Sequence, residues 1–73
     1  MNYSYLTSYE IMELLIISCE SGYLEESKKI VKHIHDRYNP DFVDVYMQTI
    51  ERFTFTHLKL ILFLYKLRRD QSN

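Results

Sequence analysis

The chain has 73 residues, so we expect a single small domain. Hydrophobic residues make up 47% of it and aromatic residues 15%, a composition that excludes intrinsic disorder. The formal net charge of -1 excludes a strong overall field that would attract nucleic acid or acidic membranes.

The first predicted helix covers residues 8–20. Thr7 and Glu10 have the spacing of a capping box, in which each side chain accepts a hydrogen bond from the other residue's backbone amide. Gly22 is the only glycine of the chain, and it is expected to end this helix in a left-handed conformation.

The second and third predicted helices cover residues 23–38 and 40–53. Asn39 and Pro40 separate them, because the residue before a proline avoids the α region and proline suits the first helical position. Each helix carries one apolar stripe that we expect to face inward. The two stripes are Tyr23, Ser27, Ile30, Val31, Ile34 and Tyr38, and then Phe42, Val43, Tyr46, Met47, Ile50 and Phe53.

The fourth predicted helix covers residues 56–69 and carries two apolar stripes. The first, called the Leu58 stripe, is Leu58, Ile61, Leu62 and Tyr65; the second, called the Leu60 stripe, is Leu60, Phe63, Leu64 and Leu67. At about 100° per residue they lie on roughly opposite sides of the helix. A surface helix needs one such stripe to reach its core. We therefore expect the Leu58 stripe to pack on the chain's own core and the Leu60 stripe to face outward.

The end of the chain leaves one alternative open. In residues 53–65, Phe53, Phe55 and His57 alternate with threonines, and leucine recurs at every second position from 58 to 64, so this segment could form a strand. Leucine and lysine favour a helix, and the sequence offers no partner strand. Either Thr54 or Thr56 could cap this last helix, and residues 70–73 are expected to be a frayed tail.

Residues 13–36 resemble an ankyrin repeat. Ser18-Cys19 stands where the family has a small pair at the end of its first helix, and Gly22-Tyr23-Leu24-Glu25 stands where the family has its turn. An amphipathic second helix follows, and a fainter echo begins at Thr56, near the family's period of about 33 residues. The resemblance implies a helix–turn–helix unit that binds proteins and catalyses no reaction.

Residues suited to catalysis or metal binding are few. His33 and His35 would point about 200° apart on a helix, so they cannot hold one metal ion together. A single glycine leaves no phosphate-binding loop. Cys19 could act as a nucleophile with His57 as its base, but nothing in the sequence positions this pair. We therefore predict no enzyme, no cofactor and no metal site.

The expected location is the cytoplasm, with no membrane association. The chain begins without the basic segment of a secretory signal, and its single cysteine fits a reducing compartment. The apolar run at residues 60–64 lies between Lys59 and Lys66, and it is far shorter than the ~20 residues of a spanning helix.

The predicted fold is an all-α, small four-helix bundle built from two helical hairpins. The predicted function is a non-enzymatic protein–protein interaction module: a regulator or inhibitor that docks on a larger protein and forms a homodimer. Size alone suggests that a phage or mobile element encodes it. Tyr3 and Tyr5 precede the first cap, so they could form an ordered arm on the bundle or contact a partner. The predicted contact residues are Leu60, Phe63, Leu64, Leu67, Ile17, Tyr3 and Tyr5.

Nucleic-acid binding is the alternative function. Basic residues crowd the exposed side of the second helix and the C-terminal end of the fourth, and such clusters can contact phosphates. Acidic residues share the surface of the second helix and would repel phosphates. The candidate contacts are Lys28, Lys29, Lys32, Lys66, Arg68 and Arg69.

Overall fold

The computed structural model describes residues 3–71, except for the side chain of Gln71. Four α-helices make up most of this part of the chain, and it contains no strand. The all-α fold class is thus confirmed, with helix rather than strand after Phe53. The helices are α1 (Ser8–Glu20), α2 (Leu24–Arg37), α3 (Pro40–Thr49) and α4 (Thr54–Gln71).

The predicted boundaries of the first two helices hold within one residue, whereas the junction between α3 and α4 differs. Helix α3 was expected to end at Phe53 but ends at Thr49. The chain then tightens into turns, in which the Ile50 amide bonds to the Met47 carbonyl at 3.3 Å and the Phe53 amide to the Ile50 carbonyl at 3.0 Å. Such bonds to the third residue back belong to turns and 3₁₀ geometry rather than to an α-helix.

Helix α4 is longer than predicted at both ends. It begins at Thr54, because the His57 amide already donates to the Phe53 carbonyl at 2.8 Å. Thr54 therefore lies inside the helix, as does Thr56, which is buried. The predicted frayed tail is wrong for residues 70 and 71, which are helical, and residues 72 and 73 lie outside the described part.

The predicted N-caps of α1 and α3 are confirmed, whereas neither Thr54 nor Thr56 is the N-cap of α4, because both are helical residues. Thr7 Oγ1 accepts from the Glu10 amide at 3.1 Å, while Glu10 Oε1 accepts from the Thr7 amide at 2.9 Å. This reciprocal pair satisfies two of the amides that the start of α1 leaves without helical partners. At the start of α3, Asn39 Oδ1 accepts from the Phe42 amide at 3.1 Å, with Pro40 as the first helical residue.

Gly22 ends α1 in the way the sequence predicts. Its φ of +74° lies in the left-handed region, which L-residues with a side chain rarely adopt. The Gly22 amide bonds to the Cys19 carbonyl at 3.2 Å, and the Tyr23 amide bonds to the Ser18 carbonyl at 2.9 Å. These two bonds form a Schellman motif, which satisfies the last carbonyls of α1 and reverses the chain into α2.

Helix α2 is the centre of the bundle, since it packs against each of the other three helices. Its buried side chains are Ser27, Ile30, Val31 and Ile34, four of the six residues of the predicted stripe. Tyr38 is half-buried, whereas the inward orientation predicted for Tyr23 is wrong, because that side chain is exposed at the start of the helix. Helices α3 and α4 pack less extensively on each other than on α2. The second predicted hairpin is therefore open, with a cleft of about 260 Å³ between its two helices.

A pair of serine hydroxyls lies at the contact between α1 and α2. Ser18 Oγ and Ser27 Oγ are both buried and are 2.8 Å apart. Ser18 Oγ also reaches the Leu15 carbonyl at 3.0 Å, and Ser27 Oγ reaches the Tyr23 carbonyl at 2.8 Å. Two hydroxyl protons serve these three contacts, so one serine donates to its carbonyl while the other donates to the first serine. Both small polar side chains are thereby satisfied inside the core.

Replacing the turn glycine should destabilise the fold. We expect Gly22→Ala to lower the free energy of unfolding by about 1 kcal/mol, because alanine pays a steric cost at positive φ. No atom lies within 4 Å of the position that the new Cβ would take, so the cost comes from the backbone alone. Urea unfolding followed by circular dichroism measures it. Ser21→Ala, at the preceding right-handed position, is the matched control and should change little; equal stability of the two variants would contradict this account.

Candidate functional site

Helix α4 buries the Leu60 stripe, which was predicted to face outward. The side chains of Leu60 and Leu64 belong to the same core as Ile30 and Ile34 of α2, and Leu60 is 0% exposed. The outward orientation predicted for Leu60 and Leu64 is therefore wrong, because α2 covers them. Phe63 and Leu67, the other two members of the stripe, are half-buried.

The opposite side of α4 exposes the Leu58 stripe, which was predicted to be core. Leu58 is 56% exposed, Leu62 58% and Tyr65 67%. Phe55, one turn before Leu58, is 71% exposed. Phe55 and the Leu58 stripe together are called the outer face below. A contiguous exposed apolar face of this kind marks a site of interaction more often than isolated exposed side chains do.

The spacing along the outer face is that of a coiled-coil seam. Phe55, Leu58, Leu62 and Tyr65 follow one another at three, four and three positions. This spacing keeps the four side chains on one narrow line of the helix. The outer face can therefore receive a second helix along its length.

Basic side chains border the outer face on one edge and at one end. Lys59 lies four residues after Phe55, and Lys66 lies four residues after Leu62, so each is a neighbour of the outer face on the helix surface. Both lysines are exposed. The Lys59 ammonium lies 5.4 Å from the centre of the Phe55 ring, a cation–π distance. Arg69, also exposed, takes the next seam position after Tyr65. The outer face is thus apolar in the middle and positive along this border.

The cleft between α3 and α4 forms the other edge of the outer face. Its walls carry charges of both signs, among them Asp44, Glu51 and Arg68, together with His57. Arg68 Nη2 lies 3.9 Å from Asp44 Oδ1, so the two helices are joined there by an ion pair. The edge at the cleft is therefore mixed in charge, unlike the edge that carries the two lysines.

The nucleophile–base pair that the sequence left open is not assembled. Cys19 is buried at the contact between α1 and α2, whereas His57 lines the cleft between α3 and α4. Burial raises the pKa of the Cys19 thiol, which favours the protonated and unreactive form. Among the described residues, no three histidine, cysteine, aspartate or glutamate side chains come together as a metal site would need.

Tyr3 is part of the fold rather than part of an exposed surface. Its ring packs 5.4 Å from the His33 ring, and its hydroxyl donates a hydrogen bond to the Glu26 carboxylate. Burial and this carboxylate raise the pKa of Tyr3 to about 12, because both disfavour the phenolate. Of the two roles that the sequence left open, Tyr3 takes that of an ordered arm and is not available to a partner. Tyr5 is exposed.

Exposed apolar side chains are also present on α1 and α3. Ile17 is exposed on α1, as its predicted contact role requires. A groove of about 210 Å³ between α1 and α3, which the sequence did not predict, is lined by Tyr9, Met12, Phe42 and Val45, with Ser8 and Tyr46. Phe42 was expected in the core but is half-exposed. Its neighbour Val43, which was also expected in the core, is buried.

The six basic residues proposed for nucleic-acid contact do not form one positive surface. Lys28 Nζ lies 3.3 Å from a Glu25 carboxylate oxygen, and Lys32 Nζ lies 2.7 Å from one of Asp36. The Lys32 ammonium is the main reason that the pKa of Asp36 is lowered. Carboxylates thus neutralise part of α2. Of the remaining four basic residues, Arg68 is paired with Asp44, and the other three are exposed, namely Lys29, Lys66 and Arg69.

Comparisons with models of protein families, with curated proteins and with solved structures gave no match for this chain. Among the described helices, none combines the length and the hydropathy needed to traverse a bilayer.

The two sides of α4 should respond oppositely to the same substitution. Leu60→Glu should unfold the protein, because it places a carboxylate in the core without a partner. Leu62→Glu should change the free energy of unfolding by no more than about 0.5 kcal/mol, since the residue is exposed and glutamate suits a helix. Circular dichroism and urea unfolding of the two purified variants measure this contrast. A folded Leu60→Glu protein, or an unfolded Leu62→Glu protein, would show that the assignment of the two sides is wrong.

The Tyr3 hydroxyl should stabilise the fold up to alkaline pH. Tyr3→Phe should lower the free energy of unfolding by about 1–2 kcal/mol near neutral pH through loss of the hydrogen bond to Glu26. The neutral phenol is the form that the fold favours. Its contribution is therefore complete below pH 10 and is lost as the pH rises towards about 12, the pKa of Tyr3 in the folded protein.

Unfolding curves of the wild type and Tyr3→Phe between pH 7 and about 12 test this, because all other titrations cancel in the difference. That difference should shrink only above pH 10. Tyr5→Phe alters a side chain that is 85% exposed, and it should match the wild type throughout. A difference that stays constant to pH 12 would contradict this prediction, because ionisation of Tyr3 would then have no effect on the free energy of unfolding.

Proposed function

We propose that this protein is a non-enzymatic protein–protein interaction module, a regulator or inhibitor that docks on a larger protein through the outer face of α4. The observation that carries the proposal is the exposed apolar seam of Phe55, Leu58, Leu62 and Tyr65 on a helix that packs on the core through Leu60 and Leu64 of its opposite side. Because α4 is already folded, binding there costs little ordering of the backbone.

The exposed side chains of the outer face are large enough to contribute substantially to the free energy of binding. Removing a leucine or phenylalanine side chain from water contributes about 1.5–3 kcal/mol when burial is complete. Leu58, Leu62 and Phe55 are each more than half exposed, so a partner could still gain most of that contribution. Tyrosine adds a large side chain with few rotatable bonds and a polar end, a combination frequent in binding hot spots.

The other parts of the sequence-based prediction are carried into this proposal. The resemblance of residues 13–36 to an ankyrin repeat implies protein binding as well. A free, buried Cys19 is compatible with work in the cytoplasm. The homodimer stays a prediction, and its contact cannot include Leu60 and Leu64, because both side chains are buried.

Leu62→Glu should remove partner binding without unfolding the protein. The purified chain, immobilised and exposed to an extract of its native host, should retain at least one protein that the Leu62→Glu variant retains about tenfold less. The reason is that a carboxylate at the centre of an apolar contact loses its hydration without gaining a partner. Quantitative mass spectrometry of the retained proteins provides the measurement.

Val45→Glu is the matched control, because it makes the same kind of change at an exposed apolar residue of α3 that is not among the predicted contacts. It should retain the same proteins as the wild type. If no protein depends on Leu62, or if Val45→Glu has the larger effect, the outer face of α4 is not the docking surface. Light scattering of the wild type over a concentration series shows separately whether the chain pairs with itself.

A further inference from the structure

We propose that the outer face binds an acidic amphipathic helix of another protein. This inference rests on the proposed function and adds the shape and the charge of the partner. It is carried by the seam spacing of the apolar residues, by the lysines beside them and by the poor match of the face to a second copy of itself.

The seam points to a helix as the partner. Side chains at alternating three- and four-residue intervals form a line that a second helix can follow with its own apolar side chains. From Phe55 to Tyr65 this line covers three helical turns of α4. The outer face is convex, as the side of a single helix is, so it cannot enclose a small molecule. A partner helix laid along it would interlock with all four seam residues.

The charges beside the seam point to an acidic partner. Lys59 and Lys66 lie along one edge, where the flanking residues of a packed helix would face them. Arg69 lies at the C-terminal end of the seam. Across the seam, the cleft contains the acidic groups of Glu51 and Asp44, and Asp44 is paired with Arg68. Glutamates on the partner would therefore meet two lysines on one edge and a mixed surface on the other.

A second copy of the chain fits this face poorly. In an antiparallel pair of outer faces, the lysine edge of one copy meets the lysine edge of the other, with Lys59 opposite Lys66. In a parallel pair, Arg69 meets Arg69 across the seam. Like charges at such positions weaken helix pairing. Both symmetric arrangements are therefore disfavoured, whereas a helix with glutamates beside its apolar seam replaces repulsion by attraction.

Two designed helical peptides of about three heptads provide the probe. Both carry leucine at every seam position, and they differ only in having glutamate or lysine at the flanking positions. Fluorescence anisotropy measures their affinity for the full chain, at peptide concentrations where each peptide alone is monomeric. Nuclear magnetic resonance shifts of the chain then locate the contact.

The acidic peptide should bind at least about tenfold more tightly than its lysine twin at low salt, with the shifts centred on Leu58 and Leu62. The preference should reverse in the double variant Lys59→Glu plus Lys66→Glu, and added salt should reduce it. Leu62→Glu should abolish binding of both peptides. The control Lys29→Glu changes an exposed lysine of α2 and should leave the preference as it is.

If both peptides bind with equal affinity and Leu62→Glu abolishes binding of both, the proposed acidic character of the partner is overturned. The outer face would then remain a docking surface for a helix. Binding of neither peptide, while a host protein is retained through Leu62, would overturn the helical partner but not the proposed function. Vesicles of phosphatidylcholine with phosphatidylglycerol form the last arm. Binding to them through Leu62, without binding of the acidic peptide, would identify a membrane surface as the occupant and overturn both proposals.

Discussion

Helix α2 packs against α1, α3 and α4, and this arrangement decides which surfaces of the other helices are covered. A chain of 73 residues has too little material to surround more than one helix, since small domains bury only about 60% of their unfolded surface. Each outer helix therefore has one covered side. For α4, the longest and apolar on both sides, that leaves an apolar face in contact with water.

The caps and turns were predictable because each depends on a few neighbouring residues. Thr7 with Glu10, and Asn39 with Pro40, fix helix starts through bonds that span three residues. Gly22 ends α1 because of its own backbone freedom. The end of α3 was less predictable. The apolar residues after Thr49 continue the helical spacing, and no glycine, proline or capping residue marks the tighter turns that follow.

The choice between the two sides of α4 was predicted wrongly, because the sequence held no clear signal for it. Each stripe has four large apolar side chains at the same spacing, so hydrophobicity alone cannot separate them. Lysine could separate them, because burying its ammonium is costly. Lys59 and Lys66, however, lie about 100° around the helix from the centre of either stripe, so they favour neither side. The position of Tyr3 held no local signal either, since its partners Glu26 and His33 lie far along the chain.

Because α4 is covered on one side only, Lys59 and Lys66 remain exposed beside the outer face, and their charge favours one class of partner. An apolar seam exposed on a small protein would pair with its own copies unless something opposed that contact. Charges at the edge oppose it without removing the seam, and the same charges attract a partner of opposite sign. Leu60 and Leu64 thus hold α4 to the bundle, while Leu58 and Leu62 remain exposed, and Lys59 and Lys66 select what can cover them. Folding and binding therefore use different side chains of one helix, so a change on the outer side can alter the partner and leave the fold intact.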